Sequence, residues 1–449
     1  MRIGVTPQLD RSGGGVYQYS MGLLDALRDL GGDNEYVLFH ATGAEVPQWV
    51  SGNASWTVAE LKLPRSALGS LKHAGSVTAD KVTGGRSGRF VDLWRLKRAA
   101  PAFSDGSVAT PTLVNPAWAS WFSGFNLGLM VMPACSPLAF ELGIPFIVAV
   151  HDLQHRLQPE FPEVSADGEW ELREYATRGC VTNALLVLVD SEVGREDVLE
   201  CYGTDGVSPD AIVVLPFQPA VSGDDVSPAE QQRVRDAHSL SDPYFFYPAQ
   251  FWSHKNHKRI IEALGELHEQ GIEAQLALAG SRTGELREKT FADAMETAAK
   301  LGIGDNVRYM GYVPDDDMIP LYAAAAALVM PTFFGPTNIP VLEAWGTGCP
   351  VITSDIRGIR EQVGDAGLLV DPRSSGSIAR GMKRILTEPD LADALRRRGR
   401  ERLTSFTPED FTRNLGVILD KAESLLAGPG ISSSHDMNPN PEGIVDGRS

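Results

Sequence analysis

The chain has 449 residues, 43% hydrophobic and 22% charged, with a formal net charge of −18. That length exceeds one ordinary core and predicts two domains. The acidic balance excludes a general nucleic-acid binder, which needs a basic surface to neutralise phosphates, but not a small anionic ligand held by a local positive site.

In chain order, residues 1–5 read as a first core strand rather than a signal peptide. Residues 16–30 follow as a helix, with Val16, Tyr19, Leu23, Leu27 and Leu30 at helical spacing. Further strands are expected at 145–150, 184–189 and 212–215. The apolar stretch 127–150 is interrupted by Pro133, Pro137, Glu141 and Pro145, so it is not read as a membrane span. The second half restarts the rhythm, with strands at 244–248, 275–279, 307–309, 327–330, 351–353 and 367–370. Helical patterns separate most of them, at 257–270, 285–301, 318–325, 340–346, 378–387 and 392–402. Cys135, Cys180, Cys201 and Cys349 lack paired or metal-ligand spacing and read as reduced thiols in a cytoplasmic protein.

Strands alternating with helices imply parallel sheets covered on both faces. The expectation is an α/β protein of two Rossmann-like domains, with ligands at the carboxyl ends of the strands in a central cleft. The N-terminal domain is expected over 1–218, a linker region with a short helical pattern over 219–242, and the C-terminal domain over 243–427. Its last helix is expected to pack back on the N-terminal domain. Residues 428–449 read as a disordered tail. Residues 62–98 carry nine basic and two acidic side chains, within an expected mobile basic insertion at about 62–105. That segment is a candidate for peripheral contact with the inner membrane face, where each basic residue contributes about 1 kcal/mol, or simply a solvated loop.

Five segments place chemistry at strand ends. Gly13-Gly14-Gly15 follows the first strand and precedes a helix, where backbone amides and the helix's positive end favour a phosphate; a tight turn is the plainer reading. Lys255 follows the strand 244–248 and is placed to hold a diphosphate by charge-assisted hydrogen bonds. Gly335, Thr337 and Asn338 form a loop ahead of Pro340, a residue suited to a first helical turn, and Glu343 lies one turn further on, where its carboxylate suits a ribose diol. His151-Asp152 ends an apolar strand, where an imidazole can serve a sugar hydroxyl or stand as a structural histidine. Ser191-Glu192 ends another strand and has a helix-cap reading.

Together and in this order, these segments resemble the retaining glycosyltransferases of family 4, which have the GT-B fold. Residues 334–350 carry the most specific likeness, followed by Ser354-Asp355 and Glu361; residues 247–258, His151-Asp152-Leu153 and Asp190-Ser191 carry the rest. The resemblance implies that Lys255 and Gln250 face the donor diphosphate, that Glu343 holds the ribose, and that backbone near Tyr312 and Val313 reads the base. It implies further that Gly335, Thr337, Asn338 and Ile339 meet the donor sugar and phosphates, and that Gly14 and Gly15 approach from the opposite domain. His151, Lys255 and Asn338 would form the catalytic centre, with Gly13 and Asp152 toward the acceptor. No metal or other cofactor is implied; a nucleoside-diphosphate sugar is the co-substrate, and a glycan or lipid-linked hydroxyl the acceptor.

Two departures matter. The family often carries two glutamates eight positions apart, and the first falls here on Gly335; the usual arginine is Gln250. The Gly-Pro-Thr-Asn loop resembles that of polysaccharide mannosyl- or rhamnosyltransferases. A sugar-nucleotide epimerase or hydrolase of the same fold, and a degenerate nucleotide-sugar-binding protein, are the alternative readings.

Overall fold

The computed structural model describes residues 1–62, 114–217 and 226–428. The basic insertion from residue 63 onward, the membrane contact assigned to it, and the tail from residue 429 lie outside the described residues. The first sheet has seven parallel strands: β1 (Arg2–Val5), β2 (Glu35–His40), β3 (Trp56–Glu60), β4 (Leu129–Met132), β5 (Phe146–Ala149), β6 (Leu186–Val189) and β7 (Ile212–Val214). They lie in the order β3-β2-β1-β4-β5-β6-β7. The second has six parallel strands: β8 (Tyr244–Pro248), β9 (Gln275–Ala279), β10 (Val307–Gly311), β11 (Ala327–Met330), β12 (Val351–Ser354) and β13 (Leu368–Val370). Their order is β10-β9-β8-β11-β12-β13.

Several central strands are buried throughout and read as unbroken apolar runs, as parallel strands covered on both faces should. In each sheet the strand order reverses beside its first strand, between β1 and β4 and between β8 and β11. Loops leaving the carboxyl ends of the strands there splay apart and leave a crevice. The two crevices face each other.

Two connections cross between the domains. The helix Pro228–His238 precedes β8 and joins the second core through Val234, while Arg233 and His238 both bond Asp317. Most of the segment at 219–242 that the sequence marks as a linker is therefore packed on the C-terminal domain. The helix Pro408–Ala427 opens with a Thr407–Asp410 capping box and crosses back. Its Phe411, Leu415, Ile418, Leu419 and Ala422 complete the N-terminal core with Leu23 and Leu27 of the first helix, Gly15–Asp29. Among the described residues, no helix is long and apolar enough to cross a membrane.

Phe411 is 1% exposed and stands edge-on to Tyr19, so Phe411→Ala leaves a cavity between the last helix and the first domain. The expected loss is about 3–5 kcal/mol, read as a lowered midpoint in urea unfolding. An unchanged midpoint contradicts this packing.

Candidate functional site

The strand-end loops of both sheets open into one cleft of about 490 Å³. Gly13, Gly14, Gly15, His151, Asp152, Gln250, Lys255, Tyr312, Gly335, Thr337, Asn338, Ile339 and Glu343 all line it. Val313 does not; it is buried in the C-terminal core, whereas its neighbour Tyr312 is 67% exposed.

Two helix N-termini meet here, those of Gly15–Asp29 and Ile339–Gly346, and no side chain caps either of them. Asn115, Ser136, Ser191, Ser227, Ser374 and Thr407 cap their helices, while others such as His257–Glu269 and Glu285–Lys300 also lack a side-chain cap. An uncapped N-terminus presents amide donors and a partial positive charge. Gly14 makes the first approach possible: its φ of 59° with ψ of −126° suits glycine, and a Cβ there would sit 3.5 Å from Gln250 Nε2 across the cleft. Gly335, at φ +134°, lets the second loop fold over Asn338, whose side-chain atoms would lie 2.9 Å from an added Cβ.

Lys255 lines the same cleft as these two ends. Its ammonium makes no hydrogen bond or ion pair among the described residues. Burial lowers its pKa to about 8, opposed by the through-space attraction of Asp152 and Glu163. Among the described residues this partly desolvated cation therefore has no contacting counter-ion, an arrangement that favours an arriving anion.

Glu343 is buried with both oxygens engaged. Oε1 accepts from Gln18 Nε2 of the first helix at 2.8 Å, and Oε2 from Tyr322 Oη at 2.7 Å. Burial raises its pKa, the two hydrogen bonds opposing. A diol reaching Glu343 has to displace Gln18, which belongs to the other domain, rather than Tyr322 from its own core. Asn338 differs from expectation in one respect. Its backbone N–H donates to Gln362 Oε1 at 2.9 Å, and Gln362 Nε2 donates back to the Asn338 carbonyl, so that amide already has a partner. The N–H groups of Thr337 and Ile339 have no acceptor among the described residues.

On the facing domain, His151 Nε2 donates to the Pro133 carbonyl at 2.6 Å and the ring stands edge-on to Tyr19. Burial lowers its pKa, so the imidazole is neutral and its Nδ1 is an acceptor. That suits a sugar hydroxyl better than a phosphate. Ser191 caps the helix Glu192–Tyr202 through Gly194 N–H and also donates to Asp190 Oδ1.

The sequence marks Thr337, Asp190, Glu192 and Glu361 individually but does not pair them across the domains, and it does not mark Glu163. Glu163 Oε1 accepts from both the backbone N–H (2.9 Å) and Nδ1 (2.7 Å) of His254, leaving Oε2 buried without a partner. Asp190 accepts from Thr337 Oγ1 of the loop that precedes the helix Ile339–Gly346. Glu361 accepts from the N–H groups of Glu192 and Val193, at the start of the helix that follows β6. Asp190 and His254 follow strands, and Asp190 and Glu361 fall in segments that carry the resemblance, but nothing in their spacing names a partner in the other domain.

Two parallel-sheet Rossmann-like domains facing a cleft define the GT-B fold, and solved structures agree. Sucrose-phosphate synthase from Thermosynechococcus elongatus superposes with a TM-score of 0.67 at 18% identity, covering 94% of this chain and 99% of that one. Anabaena HepE in complex with UDP and glucose gives 0.65 at 15% identity, over 94% and 99%. Residues 229–402 match the family described as Glycosyl transferases group 1. The chain is 29% identical over 255 residues to O-antigen chain mannosyltransferase B of Escherichia coli, which covers 56% of this chain and 64% of that protein. The chain thus spans just under two thirds of the length of this curated relative.

Burial raises the Asp190 carboxyl to about 6, with Thr337 and Ser191 opposing and Asp152 adding to the rise. The folded state therefore holds this proton more tightly than the unfolded chain. Its contribution to stability is complete below the unfolded pKa near 4 and is lost as pH rises through about 6. Asp190→Asn keeps an acceptor for Thr337 but has no proton to lose. The unfolding free energy of Asp190→Asn relative to wild type should rise between about pH 4 and 6 and stay level above that window. A pH-independent difference contradicts a buried, proton-holding Asp190.

Proposed function

We propose that the protein transfers a hexose from a nucleoside-diphosphate sugar, GDP-mannose or a UDP or dTDP sugar, to a hydroxyl of a glycan or glycolipid, with retention of configuration and without a metal ion. The observation that carries this reading is that two uncapped helix N-termini open into the same cleft as a Lys255 ammonium that has no contacting counter-ion among the described residues. A diphosphate supplies the missing anion and is the leaving group whose developing charge such a site stabilises.

In this reading Lys255, the glycine loop and the amides of Thr337 and Ile339 hold the diphosphate, and Glu343 takes the ribose hydroxyls once Gln18 gives way. The bond from the anomeric carbon to the phosphate oxygen breaks, its electron pair leaving on the diphosphate. The acceptor oxygen bonds to the same face of that carbon and passes its proton to the departing phosphate. Neutral His151 accepts a hydrogen bond from a sugar hydroxyl beside the reaction. A mannosyl donor is supported by the name of the Escherichia coli relative. Four unpaired cysteines suit a reducing, cytoplasmic setting.

Incubation with a panel of nucleotide sugars, with and without glycan acceptors, tests the proposal. Acceptor-dependent release of nucleoside diphosphate supports transfer, whereas acceptor-free conversion of the donor or binding alone contradicts it. Lys255→Ala should lower turnover at least tenfold to a hundredfold, with little change in thermal midpoint. Because the free ammonium loses its proton near pH 8, wild-type affinity for the diphosphate should fall as pH rises through about 8. Unaltered transfer by Lys255→Ala overturns the assignment.

A further inference from the structure

Gln250 lies just beyond β8, where it lines the cleft. Its Oε1 accepts two hydrogen bonds, from Trp252 Nε1 and from Arg287 Nη1, each at 3.0 Å. Two donors on one atom decide which end of the amide is oxygen. Nε2 is consequently the end turned across the cleft, 3.5 Å from the position of a Cβ on Gly14.

Arg287 sits in the first turn of the helix Glu285–Lys300, behind Gln250 and outside the cleft lining. Its guanidinium lies over the Trp252 ring at 4.6 Å. It forms no ion pair among the described residues, and its Nε is buried without an acceptor. A half-buried cation without a counter-ion is costly to the fold unless something nearby uses its charge. Among the described residues the acceptor it reaches is Gln250 Oε1, the oxygen of the amide that faces the glycine loop.

We propose that Arg287 is a positioning residue for the donor diphosphate, fixing Gln250 as an N–H donor toward the phosphates and supplying from behind the positive charge that Gln250 itself lacks. A cation on Oε1 polarises the amide and strengthens its N–H groups as donors. The field of the guanidinium also adds to that of Lys255 across a partly desolvated cleft. This inference rests on the diphosphate reading of the cleft above.

The test is calorimetric titration of the full chain with inorganic pyrophosphate, with UDP, GDP, ADP and dTDP, and with the matching nucleosides. Arg287→Met retains an apolar contact with Trp252 but removes the charge and the hydrogen bond. It should weaken binding of pyrophosphate and of the preferred nucleoside diphosphate about tenfold, leave the nucleoside unaffected, and show a smaller deficit at high salt. Arg287→Lys should recover part of the loss. In a Gln250→Ala background, Arg287→Met should cost less, since the two act through one amide. A folded Arg287→Met with wild-type diphosphate affinity overturns the inference, as does an equal loss for diphosphate and nucleoside, the signature of packing alone. If wild type binds neither pyrophosphate nor any of the diphosphates, the reading of the cleft itself fails.

Discussion

Lys255 brings an ammonium group into a cleft where, among the described residues, no carboxylate touches it, and the strand ends of both domains open around that charge. Two sheets deliver their strand ends to the same cleft, two helices open uncapped N-termini into it, and Asp152 and Glu163 act on Lys255 only through space. A fold serving only itself would pair or expose such a charge. Here it is kept partly desolvated, a condition that strengthens any contact with an arriving anion.

The same cleft is crossed by polar contacts. Gln18 reaches Glu343, His254 reaches Glu163, Thr337 reaches Asp190, and Arg357 meets Glu196 and Asp197. Interfaces of this kind exchange protein partners for water more readily than apolar ones do. Apolar continuity between the two halves is supplied instead by the last helix, whose inward face belongs to the N-terminal core. The domains are thus tied at one side and hydrogen-bonded across the other, a construction that lets a ligand enter without dismantling either core. Gln18 has a particular place in this: it occupies one Glu343 oxygen, so on the proposed reading a ribose that binds there has to displace a contact between the domains.

Much of the fold is legible in the sequence where an element is a continuous apolar run bounded by turns. Residues 244–248, 275–279 and 327–330 read as strands with the bounds the structure gives them. The strands β2 and β3 escape such a reading, because β3 lies toward the edge of the sheet with only Trp56 fully buried, and β2 begins on the exposed Glu35. The apolar stretch 127–150 separates into β4, a short helix over Pro137–Glu141 and β5. Helices Glu169–Asn183 and Glu192–Tyr202 carry buried Glu174 and Asp197, charges that break the apolar pattern a helix is recognised by. In the site, the strand-end residues are visible because topology dictates where ligands bind. Their partners are not: Gln18, Glu163 and Arg287 matter through contacts made far along the chain or across domains, and periodicity carries no record of those.

Hydrogen exchange of the full chain, with and without saturating nucleoside diphosphate, tests most directly whether the two domains grip one anion. The account predicts slowed exchange in both cleft segments together, at residues 14–17 in the first domain and 337–341 in the second, because both helix N-termini donate to the same ligand. Protection confined to one of them, or found only outside the cleft, would contradict it.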